Sequence, residues 1–405
     1  MGANNAGWPV KGDAYLSYSM HLFYNCGGAL GCNLMADFPM LSSDSPMVQP
    51  ISIASPGQTS AAPIKTVRRA PINPNHWYVV AQSSELKDRP LGVVLWHEQI
   101  VLYRDRSHIV HALEDRCPHR QVRLSHGQVQ GNQLECVYHG WQFDGTGACT
   151  EVPYLSEKQQ LPNCRLRTYP VREQDGFIWL FPGAVEQADS VPLMGLPEWD
   201  HLNYIASYTT INTQAHFSFL IENLMDMYHG RLHDNLQAWA NPVLRDLDTS
   251  PARVDAHYDA ESYYKIDKIY SVGQLFIPAM RQLRSTNLDV SYVYPHWQSV
   301  LGNDFKIYCL FCPISETHTN AYLVHFVSLG AFHRLHKLPV PFRRFVKNRL
   351  FNAARGLLAG LVEQDVLMME DEQRAFEAMP QRKGPEFNQA VTKVQQLIYH
   401  QANQP

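Results

Sequence analysis

Two short stretches, Cys117-Pro118-His119-Arg120 and Cys136-Val137-Tyr138-His139-Gly140-Trp141, constrain this chain more than anything else in it. Residues 120–135 lie between His119 and Cys136. Each stretch offers one thiolate and one imidazole, and Pro118 and Gly140 shape the two loops. Two such loops can close a tetrahedral zinc site or a two-iron cluster. Structural zinc sites usually place C-x₂₋₄-C in one knuckle and paired His elsewhere. Here each loop pairs Cys with His, which lets two thiolates hold one iron and two imidazoles the other. Replacing anionic thiolates by neutral imidazoles raises the reduction potential, the mark of a Rieske centre. Core filling by buried Cys and His is the plain alternative for any one of the four, but not for all four at this spacing.

The surroundings read as β structure. Trp77–Val80, Gly92–Trp96, Ile100–Tyr103, Ile109–Val110 and Phe177–Phe181 are short β-branched and aromatic runs between turn-prone pieces. Residues 71–185 are therefore expected to form one small all-β domain. Residues 186–405 alternate helical patterns, near 216–238 and 343–379, with strand candidates at Leu288–Tyr294, Phe305–Cys312 and Ala321–Ser328. That order suggests an α+β domain on an antiparallel sheet. CPHR…CVYHGW resembles the Rieske domain of the Rieske non-haem iron oxygenases. Respiratory Rieske proteins carry an extra, disulfide-bonded Cys in each loop; these loops have none, and Cys149 comes ten residues after His139. The resemblance implies an α+β protein with an N-terminal Rieske [2Fe-2S] domain and a helix-grip (Bet v 1-like) catalytic domain. It further implies a [2Fe-2S] cluster on Cys117, His119, Cys136 and His139, and a homotrimer similar to vanillate demethylase or phaeophorbide a oxygenase.

A second constellation follows. Glu222, Asp226, His229 and His233 stand at helical spacing in FLIENLMDMYHGRLH. A polar stripe is ordinarily a solvated face, but two His at i and i+4 can meet on one metal. The run resembles the D-x₂-H-x₃₋₄-H motif of the same oxygenases. Completing a 2-His-1-carboxylate triad for Fe(II) needs one carboxylate. Asp365 lies on the apolar stripe that runs through Phe351, Ala354, Leu358 and Leu361, where an unpaired carboxylate is costly. It is the expected third ligand, with Glu370 behind it, and the resemblance also places that ligand in an acidic C-terminal helix. Asp226 is expected to act in catalysis as an electron gate. Its carboxylate would accept a hydrogen bond from the second ring nitrogen of His229, and by resemblance it would reach His139 of a neighbouring subunit.

The chain has 405 residues, a formal net charge of −4, 45% apolar and 18% charged residues, and eight cysteines. These values exclude a disordered chain, a disulfide scaffold and a dedicated nucleic-acid binder. No apolar run reaches membrane-spanning length. No G-x-G-x-x-G follows a strand, and no plant-type ferredoxin spacing occurs, so electrons must come from a separate ferredoxin or flavin reductase. Cys309 and Cys312 read as core residues of a strand. The basic, Phe-interleaved stretch at 334–362 reads as a solvated face or as a docking surface for an acidic donor. Residues 1–70, rich in Pro and Ser and poor in acids, read as a disordered extension or a transit peptide. The compartment expected is the cytoplasm, or the plastid in a photosynthetic source. The activity expected is O₂-dependent hydroxylation, demethylation or ring opening of an apolar or aromatic compound. A chlorophyll-catabolite oxygenase is one alternative. A Rieske electron carrier or redox sensor without oxygenase activity is another.

Overall fold

A computed structural model describes residues 66–404 apart from 202–203, 237–238, 264–272, 302–304, 329–337 and 383; residues 234–236, 275–276, 278, 343–344 and 346–359 are described by backbone alone. Three small antiparallel sheets come first. One has the order β1 (Tyr78–Gln82), β10 (Phe177–Leu180), β9 (Val171–Gln174). The second is β2 (Leu91–Leu95), β3 (Glu98–Arg104) and β4 (Val110–Glu114). The third is β5 (Gln128–Gln130), β6 (Gln133–Glu135), β7 (Gln142–Phe143) and β8 (Cys149–Glu151). The aromatic and β-branched runs of the sequence fall on or beside these strands. β10 is buried at all four positions, so it reads as a continuous apolar run without alternation.

The larger sheet has seven strands. β11 (Tyr204–Thr213) lies on one edge, and β12 (Trp239–Ser250), β13 (Arg253–Ser262), β14 (Arg284–Val293), β15 (His296–Leu301), β16 (Phe305–Ser315) and β17 (His318–Ser328) form a meander that returns to it. α1 (Phe217–Met225) and a 3₁₀ stretch (Met227–Leu236) connect β11 to β12, and α2 (Gly273–Phe276) is a single turn. α3 (Val340–Ala378) packs on β11, and α4 (Gln389–Ala402) packs on α1 and β13.

The two faces of the sheet have different neighbours. Leu310, Val324 and Phe326 meet Trp77, Trp179 and Phe181, which docks the small sheets on one side. The opposite face carries Ala256, Tyr258, Val290, Cys309 and Leu323 and packs with α1, α3 and α4. Burying this face, at roughly 25 cal/mol per Å² of apolar surface, is what holds the long helices in place. Cys309 and Cys312 are both buried, as expected of core residues; Cys309 lies on the helix side, whereas the Cys312 thiol donates to the Val94 carbonyl of β2.

Four expectations change. The helix expected over 216–238 stops at Met225, because Asp226 (φ −92, ψ 93) leaves helical space before the tighter 3₁₀ stretch begins. β12 and β13 were not expected, since alternation of Asp, Arg and His with small residues hides the apolar set Val254, Ala256, Tyr258 and Ala260. α4 was not expected either. The extension assigned to 1–70 lies outside the described residues up to 65, but Val67–Arg69 form a 3₁₀ turn and Ala70 is fully buried. Every basic side chain of the stretch at 334–362 lies outside the described residues, whereas Phe342 and Phe345 are exposed.

Candidate metal centres

The two Cys/His loops repeat one backbone geometry. Cys117 N–H donates to the Val122 carbonyl (2.9 Å), and Gln121 N–H donates back to the Cys117 carbonyl (2.8 Å). In the second loop Cys136 N–H donates to Trp141 (2.8 Å), and Gly140 N–H donates to Cys136 (3.0 Å). The fifth residue of each loop takes positive φ, Gln121 at 61° and Gly140 at 71°. Glycine suits the second position doubly, since a Cβ there would stand 3.0 Å from Pro153 Cγ. Each loop wraps its cysteine sulfur with two backbone N–H groups, those of His119 and Arg120 in the first and of Tyr138 and His139 in the second. Donors in that position favour negative sulfur.

The four candidate ligands converge. Both thiols are buried and hydrogen-bonded to each other, which pushes the Cys117 thiol up and the Cys136 thiol down as one proton is shared between them. The His119 and His139 ring centres are 4.5 Å apart, and Trp141 stacks on His119 at 4.9 Å, the two rings nearly parallel. His119 Nδ1 is buried without a hydrogen-bond partner. An orphaned ring nitrogen beside two thiols fits a [2Fe-2S] cluster, because a buried polar atom needs a partner. Val137 and Tyr138 are 63% and 60% exposed, so the site opens to the surface beside an apolar edge.

The second centre joins distant pieces of chain. His229 and His233 come from the 3₁₀ stretch and Asp365 from α3, and their ligand atoms lie within 4.8 Å of one another. Asp365 Oδ1 is 3.7 Å from His229 Nε2 and 3.5 Å from His233 Nε2. Each ring is held by its other nitrogen: His229 Nδ1–H donates to the Asp226 backbone carbonyl, and His233 Nδ1–H donates to Gln364 Oε1 (3.1 Å). That fixes the tautomer and leaves both Nε2 lone pairs facing the carboxylate. Asn223 Nδ2 donates to Asp365 Oδ1 at 3.3 Å. Trp239 sets its edge against both rings, at 5.6 and 5.8 Å, and is pinned by a 2.8 Å bond to the Met227 carbonyl. Burial pushes the Asp365 pKa up, and the two imidazoles pull it back. Two imidazoles and one carboxylate on one side of a point fit a mononuclear iron with open positions.

Asp226 is placed differently from the expectation. Its carbonyl, not its carboxylate, takes the His229 bond, because the helix ends there and turns the main chain toward the ring. The carboxylate instead accepts from Asn388 Nδ2 (2.9 Å) and Tyr228 N–H (3.0 Å). Glu222 is not beside the histidines; it is buried against Arg68. Glu370 accepts from Gln214 N–H (2.9 Å), away from the iron ligands. Gln364, Asn223 and Trp239 went unread in the sequence. Gln364 sits next to Asp365 in the chain, yet only helix packing reveals that it reaches His233.

A family profile for the Rieske [2Fe-2S] domain matches residues 76–170. The chain is 33% identical over 344 residues to a 4beta-methylsterol monooxygenase of Methylococcus capsulatus (Bath), covering 82% of this chain and 89% of the relative. It is 35% identical over 159 residues to the oxygenase component of dicamba O-demethylase of Stenotrophomonas maltophilia, spanning 39% of this chain and 46% of the relative. The crystal structure of dicamba monooxygenase bound to dicamba superposes with a TM-score of 0.65 at 21% identity, covering 82% of this chain and 98% of the other, a likeness of fold.

Proposed function

The chain belongs to the Rieske non-haem iron oxygenases, and on that premise we propose that it oxidises a neutral, apolar ring compound carrying one hydroxyl or keto group, of which a methylsterol is the model. The observation that carries this is the sheet face turned toward the helices. Val254, Ala256, Tyr258, Ala260, Leu288, Val290, Cys309 and Leu323 are the apolar side chains on it. His325 shares that face, paired across the sheet with Ile307 and Ser207. Burial lowers its pKa to about 3, so it is neutral, and its Nδ1 has no hydrogen-bond partner. A neutral imidazole in an apolar wall suits a substrate oxygen and would not hold a carboxylate. The relative matched along most of its length acts, by its name, on a methylsterol.

The residues divide the work. Cys117, His119, Cys136 and His139 would hold the cluster, and His229, His233 and Asp365 the iron. The bound metals supply electron storage and dioxygen activation. The protein orients the imidazoles through Gln364 and the Asp226 carbonyl, keeps Asp365 in place through Asn223, and shields the rings with Trp239. Residues 71–185 form the electron-entry part and 186–405 the oxygenating part. We place Asp226 where the iron ligands face the cluster of a neighbouring subunit in a homotrimer. Its half-buried carboxylate, steadied by Asn388, supports that role. Among the described residues no helix is long and apolar enough to cross a membrane. A separate ferredoxin or flavin reductase supplies electrons in the cytoplasm, or in the plastid of a photosynthetic source.

Substrate-dependent O₂ uptake with a surrogate reductase tests the reading. Methylsterols should stimulate uptake and yield oxidised product, whereas carboxylated aromatics should not. Turnover of a chlorin or of an aromatic acid, with sterols inert, would overturn the substrate class. Iron analysis separates an oxygenase, at about three irons per chain, from a Rieske electron carrier at about two.

A further inference from the structure

Cys149 and Cys164 take no part in either centre. Gly147 and Cys164 offer the carbonyls, and Leu166 and Cys149 the N–H groups, of the two bonds that flank the antiparallel bridge Ala148–Arg165. One step along that ladder Cys149 stands directly opposite Cys164, with a bond of 3.4 Å from Cys149 N–H to the Cys164 carbonyl. Opposed residues share a face and have Cα atoms about 4.5–5.5 Å apart, inside the range that a disulfide spans. The two thiols are in hydrogen-bond contact, both are free, and both are partly exposed. Such a pair is preset for bond formation without backbone movement.

We propose that Cys149 and Cys164 are an oxidation site, a dithiol that a peroxide closes to a disulfide, tightening the hold of residues 150–163 on the cluster loop. That segment carries Pro153, which packs against Gly140, and Tyr154, whose hydroxyl accepts a 2.7 Å bond from Trp141 Nε1. Trp141 in turn stacks on His119. Tying the two ends of the segment together therefore acts on the wall of the cluster site. Burial, and then Cys164 beside it, push the Cys149 thiol up to about 11, so first attack falls to Cys164. The Cys164 sulfur attacks a peroxide oxygen and becomes a sulfenic acid, releasing one water. Cys149 then attacks that sulfur, the S–S bond forms, and a second water leaves. Two thiols are oxidised, and one hydrogen peroxide is reduced to two waters. The inference stands apart from the choice of substrate.

The test uses the full-length, cluster-loaded protein titrated with hydrogen peroxide, alkylated with iodoacetamide and mapped by mass spectrometry. The expected product is a cross-link between the peptides bearing Cys149 and Cys164, reversed by dithiothreitol. Cys149→Ser and Cys164→Ser should keep the visible absorption of the cluster and lose the cross-link. Circular dichroism of the cluster should shift on oxidation of the wild type, but not in either serine variant. Recovery of both cysteines as alkylated thiols, or as separate sulfinic acids, would overturn the site. A cross-link with an unchanged cluster spectrum would overturn its connection to Trp141.

Discussion

Arg68→Ala should destabilise the fold strongly, although Arg68 touches neither metal centre. Arg68 reaches Glu222 through two parallel bonds, Nη1–Oε1 at 2.6 Å and Nη2–Oε2 at 2.7 Å, and donates to Ser218 Oγ at 2.8 Å. Its guanidinium also lies 3.7 Å from the centre of the Phe219 ring. The two side chains are only 16% and 11% exposed, so water screens the pair little. Removing the cation strands a carboxylate in α1, and breaking a buried pair from one side costs about 3–5 kcal/mol. In a domain of this size that is a fall in Tm of about 10 °C. Burial already raises the Glu222 pKa, and Arg68 opposes the rise, so the substitution raises it further. A carboxyl whose folded pKa exceeds its unfolded value binds its proton more tightly in the native state. Its contribution is therefore fully present below the ordinary value of 4.5 and is lost as pH climbs through the folded value. The deficit of Arg68→Ala should accordingly be smaller near pH 5 than at pH 8. Adding Glu222→Gln should recover most of it, because an amide needs no counter-charge. Thermal unfolding of the wild type, both single variants and the double variant at the two pH values measures this. A deficit that is equal at the two pH values and untouched by Glu222→Gln would show that stacking on Phe219, not charge, holds the segment.

Cys117→Ser or His139→Ala should abolish the visible colour of the cluster, whereas His229→Ala should keep the colour and lose oxygenation; absorbance and product assays on one preparation decide it. Gln364→Leu removes the partner of His233 Nδ1 and should weaken iron binding about 10–100-fold while sparing the cluster, as read by iron titration of the metal-depleted protein. Asp226→Asn can keep the Asn388 and Tyr228 bonds through its amide oxygen, so it should retain both metals and turn over about a hundredfold more slowly. Single-turnover reoxidation of its cluster at the wild-type rate would refute the gate. His325→Leu should raise KM for a hydroxylated sterol about tenfold, the worth of one hydrogen bond to a buried partner, and leave iron content unchanged; an unaltered KM would remove His325 from the substrate site.

The local spacing of the sequence determined a good deal. Cysteine and histidine two and three residues apart, flanked by proline and glycine, can serve one purpose in a short loop, and that chemistry does not depend on what the loop later packs against. The strands Phe177–Leu180 and Phe305–Ser315 were legible for a related reason: continuous or alternating apolar runs bury themselves wherever the chain goes. Helix periodicity failed at Asp226, where spacing alone put Glu222, Asp226 and the two histidines on one face. A break in backbone conformation turned Glu222 toward Arg68 and presented the Asp226 carbonyl, not its carboxylate, to His229. β12 and β13 were hidden by their polar outer residues. The sequence singled out Asp365 as a ligand without fixing its distance from histidines more than a hundred residues earlier; tertiary structure alone decided that Gln364 orients one of them and that Cys149 faces Cys164. The physical reason is the same in each case. A sequence states which groups are present and how neighbours in the chain are spaced, whereas the distance between remote groups is set by the packing of α3 and the small sheets on opposite faces of one seven-stranded sheet.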